Sequence, residues 1–285
     1  MPSEQYPLIE DYHPSRVFAW REQEAVDCSR ALAEMLAISM QLAPGRAYLN
    51  LCEDRYLFTL AFAAVCIAGG VNLLPASHAA GALQGVRDAN PGAGELNDQQ
   101  LQAWLAAQDT SIISDTAPMI AGTHCAAVVY TSGSTGAPTA HKKFWRDLHA
   151  GTKLWRQRFF PDLQTLNIVA TVPPQHMFGL ETSVLPVLQA GFAAHVTRPS
   201  MPWEIAEALA AVAAPRLLIT TPVHMRACVR SGTRLPQIHR CISATAPLSA
   251  QLASAAEELW GTEIHEIYGC TEAGSLSSRR TVTGE

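Results

Sequence analysis

The stretch AAVVYTSGSTGAPTAHKKFW, Ala126 to Trp145, decides the reading of this chain: an apolar run stops at six residues of Thr, Ser and Gly. A strand ending at Tyr130 delivers a turn in which Gly133 and Gly136 permit backbone angles and close approaches closed to other residues, so successive amides can point into one concavity. The hydroxyls of Thr131, Ser132, Ser134 and Thr135 add donors around it. Donors without a fixed positive charge suit a polyphosphate whose own magnesium carries the charge. The Walker pattern is absent, because Ala137-Pro138 follows Gly136. The hydrolase elbow is absent too, because Ser132 stands where its first glycine would be. A Ser/Gly-rich surface turn has the same composition, so the loop alone leaves two readings.

Working outward, the chain of 285 residues is 48% hydrophobic and 16% charged, a composition that folds with a sizeable core. A net charge of −5 argues against nucleic acid as the main partner. The basic run from His141 to Arg158 (Lys142, Lys143, Arg146, Lys153, Arg156, Arg158) reads first as a solvated helix face, with a small anionic ligand as the alternative. Seven cysteines without a Cys-x-x-Cys pair, and an N-terminus without a basic start and apolar stretch, point to reduced thiols in a cytoplasmic protein. Tyr56 to Ser77 carries no charge for about the length of a membrane span, but Gly69-Gly70, Asn72 and Pro75 favour a buried helix feeding a buried strand.

After residue 45 short apolar runs alternate with helical periods. Strands are expected at 47–52, 71–74, 111–114, 126–130, 167–172, 193–197, 216–220, 240–245 and 263–268. Helices are expected over 54–68, 179–189, 203–213, 222–231 and 248–259, with 89–100 as a surface connection. The alternation predicts an α/β fold of mainly parallel sheets flanked by helices, since strands covered on both faces are apolar throughout. A soft boundary at 160 divides it into subdomains 1–160, with the phosphate loop, and 161–285.

YTSGSTGAP is similar to the phosphate-binding signature of the adenylate-forming (AMP-binding) superfamily, which includes acyl-CoA and aryl-CoA synthetases, and four further stretches follow in that family's order. VPPQHMFGLE (172–181) is similar to its Pro-x-x-His-x-x-Gly segment, whose histidine, here His176, borders the acyl pocket. TTPVHMRACV (220–229) resembles the turn lining the acyl side. ISATAPLS (242–249) resembles the turn beside adenine, which implies contacts from Ala244, Thr245 and Ala246. EIYGCTEAG (266–274) matches Tyr-Gly-x-Thr-Glu, which implies Tyr268 stacked on adenine beside Gly269, Thr271 on the α-phosphate and Glu272 on magnesium. Taken alone, His176 would be an ordinary loop histidine and YGCTE a strand end with a capped helix.

The chemistry suits those residue types. A carboxylate attacks the α-phosphorus of ATP and pyrophosphate leaves, so two anions must be held in line with their charge masked. Glu272 offers magnesium a hard oxygen ligand, and Thr271 a neutral donor where charge develops. The resemblance thus implies two mainly parallel sheets, catalytic Thr271, Glu272 and His176, and a phosphate clasp of Thr131, Ser132, Gly133, Ser134, Thr135 and Gly136.

Two departures stand out. The family's lysine after the loop proline is replaced by Thr139; on an extended segment Thr139, His141 and Lys143 share one face, which makes Lys143 the expected substitute. The chain also stops at SSRRTVTGE, before the Thr-Gly-Asp segment, the hinge and the mobile C-terminal domain with its adenylation lysine, so these residues are expected to bind ATP or acyl-adenylate with little turnover. No aspartate near His176 answers an α-amino group, which favours an acyl or aryl acid, with Glu181 the one exception to weigh. Coenzyme A or a carrier protein's phosphopantetheine is the implied acceptor. A non-catalytic nucleotide- or acyl-binding module is the alternative; a P-loop kinase lacks its lysine.

Overall fold

The structure, a computed structural model, describes residues 4–107, 114–132 and 138–283, with only the backbone of Ser132. The loop residues Gly133 to Gly136 and most of the strand expected at 111–114 lie outside it.

One sheet has five strands, β4 (Ala47–Asn50), β5 (Val71–Leu74), β6 (Gly94–Leu96), β8 (Cys125–Ser132) and β9 (Pro138–Phe144), in the order β6-β4-β5-β8-β9. It is parallel except for the terminal β8–β9 pair. A second sheet runs β15-β14-β13-β12-β10-β11-β2-β3. Its strands are β2 (Val17–Arg21), β3 (Glu24–Asp27), β10 (Asn167–Ala170), β11 (Ala193–His195), β12 (Arg216–Thr220), β13 (Arg240–Ser243), β14 (Ile264–Cys270) and β15 (Gly274–Arg280). Only its two outermost pairs are antiparallel. A small pair, β1 (Gln5–Pro7) with β7 (Met119–Ala121), stands apart. A division at 160 therefore follows the five-stranded sheet but not the eight-stranded one, because β2 pairs with β11 in parallel and carries β3 with it.

Strand alternation explains the unbroken apolar runs. Ile168, Ala170, Leu217 and Ile219 point into the main core, with α1 (Cys28–Ser39) and α2 (Arg55–Ile67), whereas Val169 and Leu218 point the other way, onto α8 (Pro202–Ala211), α9 (Pro222–Arg230) and α10 (Ala250–Trp260). Leu49, Leu73, Val128 and Tyr130 cover the outer face of the five-stranded sheet with Val86 of α3 (Ala80–Ala89). Each such strand has no polar face because it has no wet one.

Helix starts follow their caps: Asp27, Asp54 and Ser249 accept from the amides of Arg30, Leu57 and Leu252. The charge-free stretch resolves into α2, about 20 Å long at ~1.5 Å per residue, then β5. Between them Gly69 adopts φ +70° and Gly70 packs against the Arg46 carbonyl, where a Cβ would overlap it. Asn72 is buried with its amide donating to the carbonyls of Phe62 (3.1 Å) and Ala126 (3.0 Å), so it bridges helix and sheet. Among the described residues no helix is long and apolar enough to cross a membrane.

Two expectations change. The 89–100 segment is not a plain connection: Gly94–Leu96 forms edge strand β6, with Leu96 fully buried, and α4 (Asp98–Ala107) starts within it. Three residues are too few to show a period. The helix expected over 179–189 is composite, a single turn α6 (Met177–Gly179), a π-helical turn Leu180–Val184, then α7 (Leu185–Gln189). The basic run forms the end of β9 and α5 (Trp145–Phe159); most of it is solvated, and the exception is Lys143.

Candidate active site

Parallel strands deliver their following loops to one edge of a sheet, and the sequence-predicted residues gather there. The segments after β10, β13 and β14 line a cavity of about 740 Å³ that brings together His176, Ala244, Thr245, Ala246, Tyr268, Gly269 and Thr271, with Phe178 and Glu181 on the side of α6. Tyr268 leaves 69% of its surface exposed at the mouth, a large ring without a partner ring among the described residues. The turn after β13 is strained: Thr245 has φ +78°, a conformation costing a β-branched residue about 1–3 kcal/mol and concentrated at functional sites. Glu266 of β14 fixes that turn, accepting from the Leu248 amide at 2.8 Å while pairing with Arg279 of β15 at 2.8 Å.

The loop carrying His176 depends on Gly179. A Cβ there would overlap the carbonyl oxygen of Pro173, so the helix can fold back onto Pro173-Pro174 only with glycine. His176 stands Nε2 to oxygen 2.8 Å from Ala76. Burial, above all, pushes its pKa below the ordinary value, leaving a neutral imidazole whose Nε2–H donates to that carbonyl. This contact joins the His176 loop to the segment after β5, and so one sheet to the other.

A second junction lies at the phosphate loop. β8 and β9 pair in register, Thr131 with Thr139 and Val129 with His141, and the expected alternation holds: Lys142 is exposed while Lys143 is only 7% exposed. The Lys143 ammonium donates to the backbone oxygen of Glu272 at 2.9 Å. Desolvation lowers its pKa, opposed by the negative charges of Glu181 and Glu272. His141, beside it, has Nε2 3.2 Å from Thr131 Oγ1 and 3.7 Å from Glu272 Oε1. Thr131, His141, Lys143 and Glu272 thus converge, although the first three come from the five-stranded sheet and the last from the turn between β14 and β15. The Glu272 carboxyl is held below its usual range by its own backbone N–H, then by the Cys270 thiol, with His141 and Lys143 adding to it.

Among the described residues no group of three or more His, Cys, Asp or Glu could hold a metal by itself. An exposed carboxylate beside a single lysine fits magnesium carried in by phosphates, which supply its other ligands. Sequence reasoning missed Glu266, Arg279 and the clamp from Glu181 to Ser275, which are contacts between distant segments; His141 was legible from the same alternation as Lys143.

The sequence matches the family model described as AMP-binding enzyme over residues 23–284. The chain belongs to the AMP-binding enzyme family. A curated relative, 4-coumarate–CoA ligase of Rhodobacter capsulatus, is 31% identical over 156 residues, covering 54% of this chain and 39% of the relative. Among solved structures, o-succinylbenzoate CoA synthetase of Bacillus subtilis with its acyl-adenylate intermediate superposes with TM-score 0.79 at 16% identity, over 98% of this chain and 62% of that one. The same synthetase with ATP and magnesium gives TM-score 0.76 at 16% identity, over 98% and 63%. The chain therefore spans about three-fifths of the length of these structures and less of the curated relative. Their α/β architecture of parallel sheets flanked by helices is the one found here.

Proposed function

We propose that this chain forms the nucleotide- and acid-binding part of an adenylate-forming acid–thiol ligase. The observation that carries the reading is the convergence of Thr131, His141 and Lys143 from the phosphate-loop hairpin on Glu272, at the rim of the cavity holding Tyr268, Thr271 and the strained Thr245 turn. Tyr268 and Ala244 to Ala246 hold adenine, and Thr131 to Gly136 hold the outer phosphates. Thr271 donates toward the α-phosphate, and His176 walls the acid's side. The acid's carboxylate oxygen bonds to the α-phosphorus as the bond to the bridging oxygen breaks, and pyrophosphate leaves with that electron pair. Bound through Glu272 and the phosphates, magnesium would supply charge neutralisation of the leaving group. Lys143 keeps a positive charge at that end of the site.

The substrate is an acyl or aryl acid without an α-amino group: Glu181, among the described residues the carboxylate of the cavity wall on the His176 side, is already occupied by Ser275. The acceptor is coenzyme A or a carrier-protein phosphopantetheine. The seven free cysteines support a reducing compartment such as the cytoplasm. The chain by itself binds nucleotide with little turnover. Calorimetric titration with magnesium ATP tests the binding, and pyrophosphate exchange into ATP over a panel of acids, using the product of the complete reading frame, tests the reaction. Magnesium ATP that fails to bind sinks the reading; binding without exchange for any acid leaves a binding module.

A further inference from the structure

The turn Thr271-Glu272-Ala273 hangs between the ends of β14 and β15, on the outer edge of the eight-stranded sheet. A magnesium-binding carboxylate there must be held by contacts from elsewhere, because side chains on an isolated two-stranded turn are poorly fixed. Among the described residues, two such contacts stand beside that of the His141 ring with the Glu272 carboxylate. Lys143 donates to the Glu272 carbonyl from the hairpin side. From the opposite segment comes Glu181, in the π-helical turn that follows His176, a helix irregularity found often at functional sites.

Glu181 is poorly placed to serve a substrate. Its Oε2 accepts the Ser275 amide at 3.1 Å and the Ser275 hydroxyl at 2.7 Å, which places both donors of the first residues of β15 on one carboxylate oxygen. Its Oε1 packs beside Gly274, which adopts φ +77°, and that backbone angle restricts the position to glycine. The carboxylate also faces the Lys143 ammonium electrostatically, and that charge offsets part of its burial. A half-buried carboxylate that accepts two hydrogen bonds from one residue and packs against its neighbour in the chain is built as a clamp.

The geometry points to Glu181 as a positioning residue: through Ser275 and Gly274 it fixes the side of the turn that presents Glu272, while Lys143 holds Glu272 from the phosphate-loop side. This rests on the proposed function, since its consequence is a preorganised magnesium ATP site; Glu181 itself touches neither metal nor nucleotide.

The test uses three versions of the 285-residue chain: unaltered, Glu181→Ala and Glu181→Gln. Hydrogen exchange of the amides from Cys270 to Ser275, measured without ligand, reads the clamp directly. Calorimetry reads ATP affinity with magnesium and with chelator, and AMP affinity as the metal-independent control. Loss of a charge-assisted pair of hydrogen bonds should raise exchange of the Ser275 amide by about tenfold or more and cut the magnesium-dependent gain in ATP affinity by about tenfold in Glu181→Ala, with AMP affinity within about twofold. Glu181→Gln keeps one oxygen to accept from Ser275 and should stay within about threefold of the unaltered chain. Unchanged exchange in Glu181→Ala overturns the clamp whatever the ligands do. Faster exchange with an unaltered magnesium gain, or with AMP and ATP weakened in parallel, or with Glu181→Gln as damaged as Glu181→Ala, overturns the positioning role. An unaltered chain that binds AMP and ATP with no magnesium-dependent gain overturns the metal site of the proposed function as well.

Discussion

Replacing Lys143 by Ala, set against the same change at Lys142, tests the lysine substitution at the phosphate loop. The two residues are neighbours on β9 with identical chemistry and opposite surroundings: Lys143 is 7% exposed and donates to the Glu272 backbone at 2.9 Å, whereas Lys142 is exposed and has no hydrogen-bond or ion-pair partner among the described residues. A hydrogen bond from a charged donor contributes about 1.5–3 kcal/mol, and its loss also frees the turn bearing Glu272. At about 1.4 kcal/mol per tenfold, Lys143→Ala should weaken magnesium ATP binding by roughly tenfold to a hundredfold. An exposed charge is screened and contributes about 0–1 kcal/mol, so Lys142→Ala should cost no more than about fivefold. Titration calorimetry at constant magnesium, with melting temperatures to confirm that both variants fold, reads the difference. Equal effects at the two positions, or an unchanged affinity in Lys143→Ala, would refute the assignment.

Further expectations concern stability and the site. His195, buried, has its pKa pushed down to about 4 by desolvation and the Arg55 charge, so below its ordinary pKa of 6.5 the unfolded chain takes up a proton that the folded one refuses. Stability at that residue is fully present above pH 6.5 and lost as pH falls toward 4; at pH 5 the loss is about 2 kcal/mol, and urea melts of His195→Asn at pH 7.5 and 5 should show a correspondingly smaller acid sensitivity. Gly179→Ala forces a Cβ into the Pro173 carbonyl and should destabilise the chain by about 3 kcal/mol or more, read as a lower urea midpoint. Glu266→Ala removes the acceptor for the Leu248 amide and the partner of Arg279; it should weaken AMP binding by about tenfold by loosening the Thr245 turn, with a matched loss of adenosine binding as the check.

The parts of this fold that were legible are those where local pattern and environment agree. Strands β5 and β12 fall where their short apolar runs put them, because both faces of each are covered; Asn72, the polar residue within β5, is buried with its amide bonded. Strands β2 and β3 were not read: VFAWR and EAVD alternate weakly at an antiparallel edge, and their partner β11 lies far along the chain. The composite helix after His176 was legible in extent and not in kind, since Gly179 and the Thr182 and Ser183 hydroxyls that return to the carbonyls of Phe178 and Gly179 shape it locally. At the site, period-two alternation was enough to single out Lys143, which is a property of one strand. The Glu181–Ser275 and Glu266–Leu248 contacts join segments brought together by folding, and no spacing along the chain encodes them.

The placement of β2 in the second sheet also sets an order of events in time. β2 and β3 are synthesised well before the strand that β2 pairs with, Ala193–His195, which emerges only after all of the five-stranded sheet. At ribosomal speeds of about 5–20 residues per second, the hairpin waits on the order of 10–30 seconds for its neighbour. During that interval the apolar residues Phe18, Ala19 and Val26, buried in the finished protein, have no sheet to join. The nascent chain thus carries an unfinished edge over the whole interval between β3 and β11, and the arrival of β11 is the moment at which that edge finds its sheet.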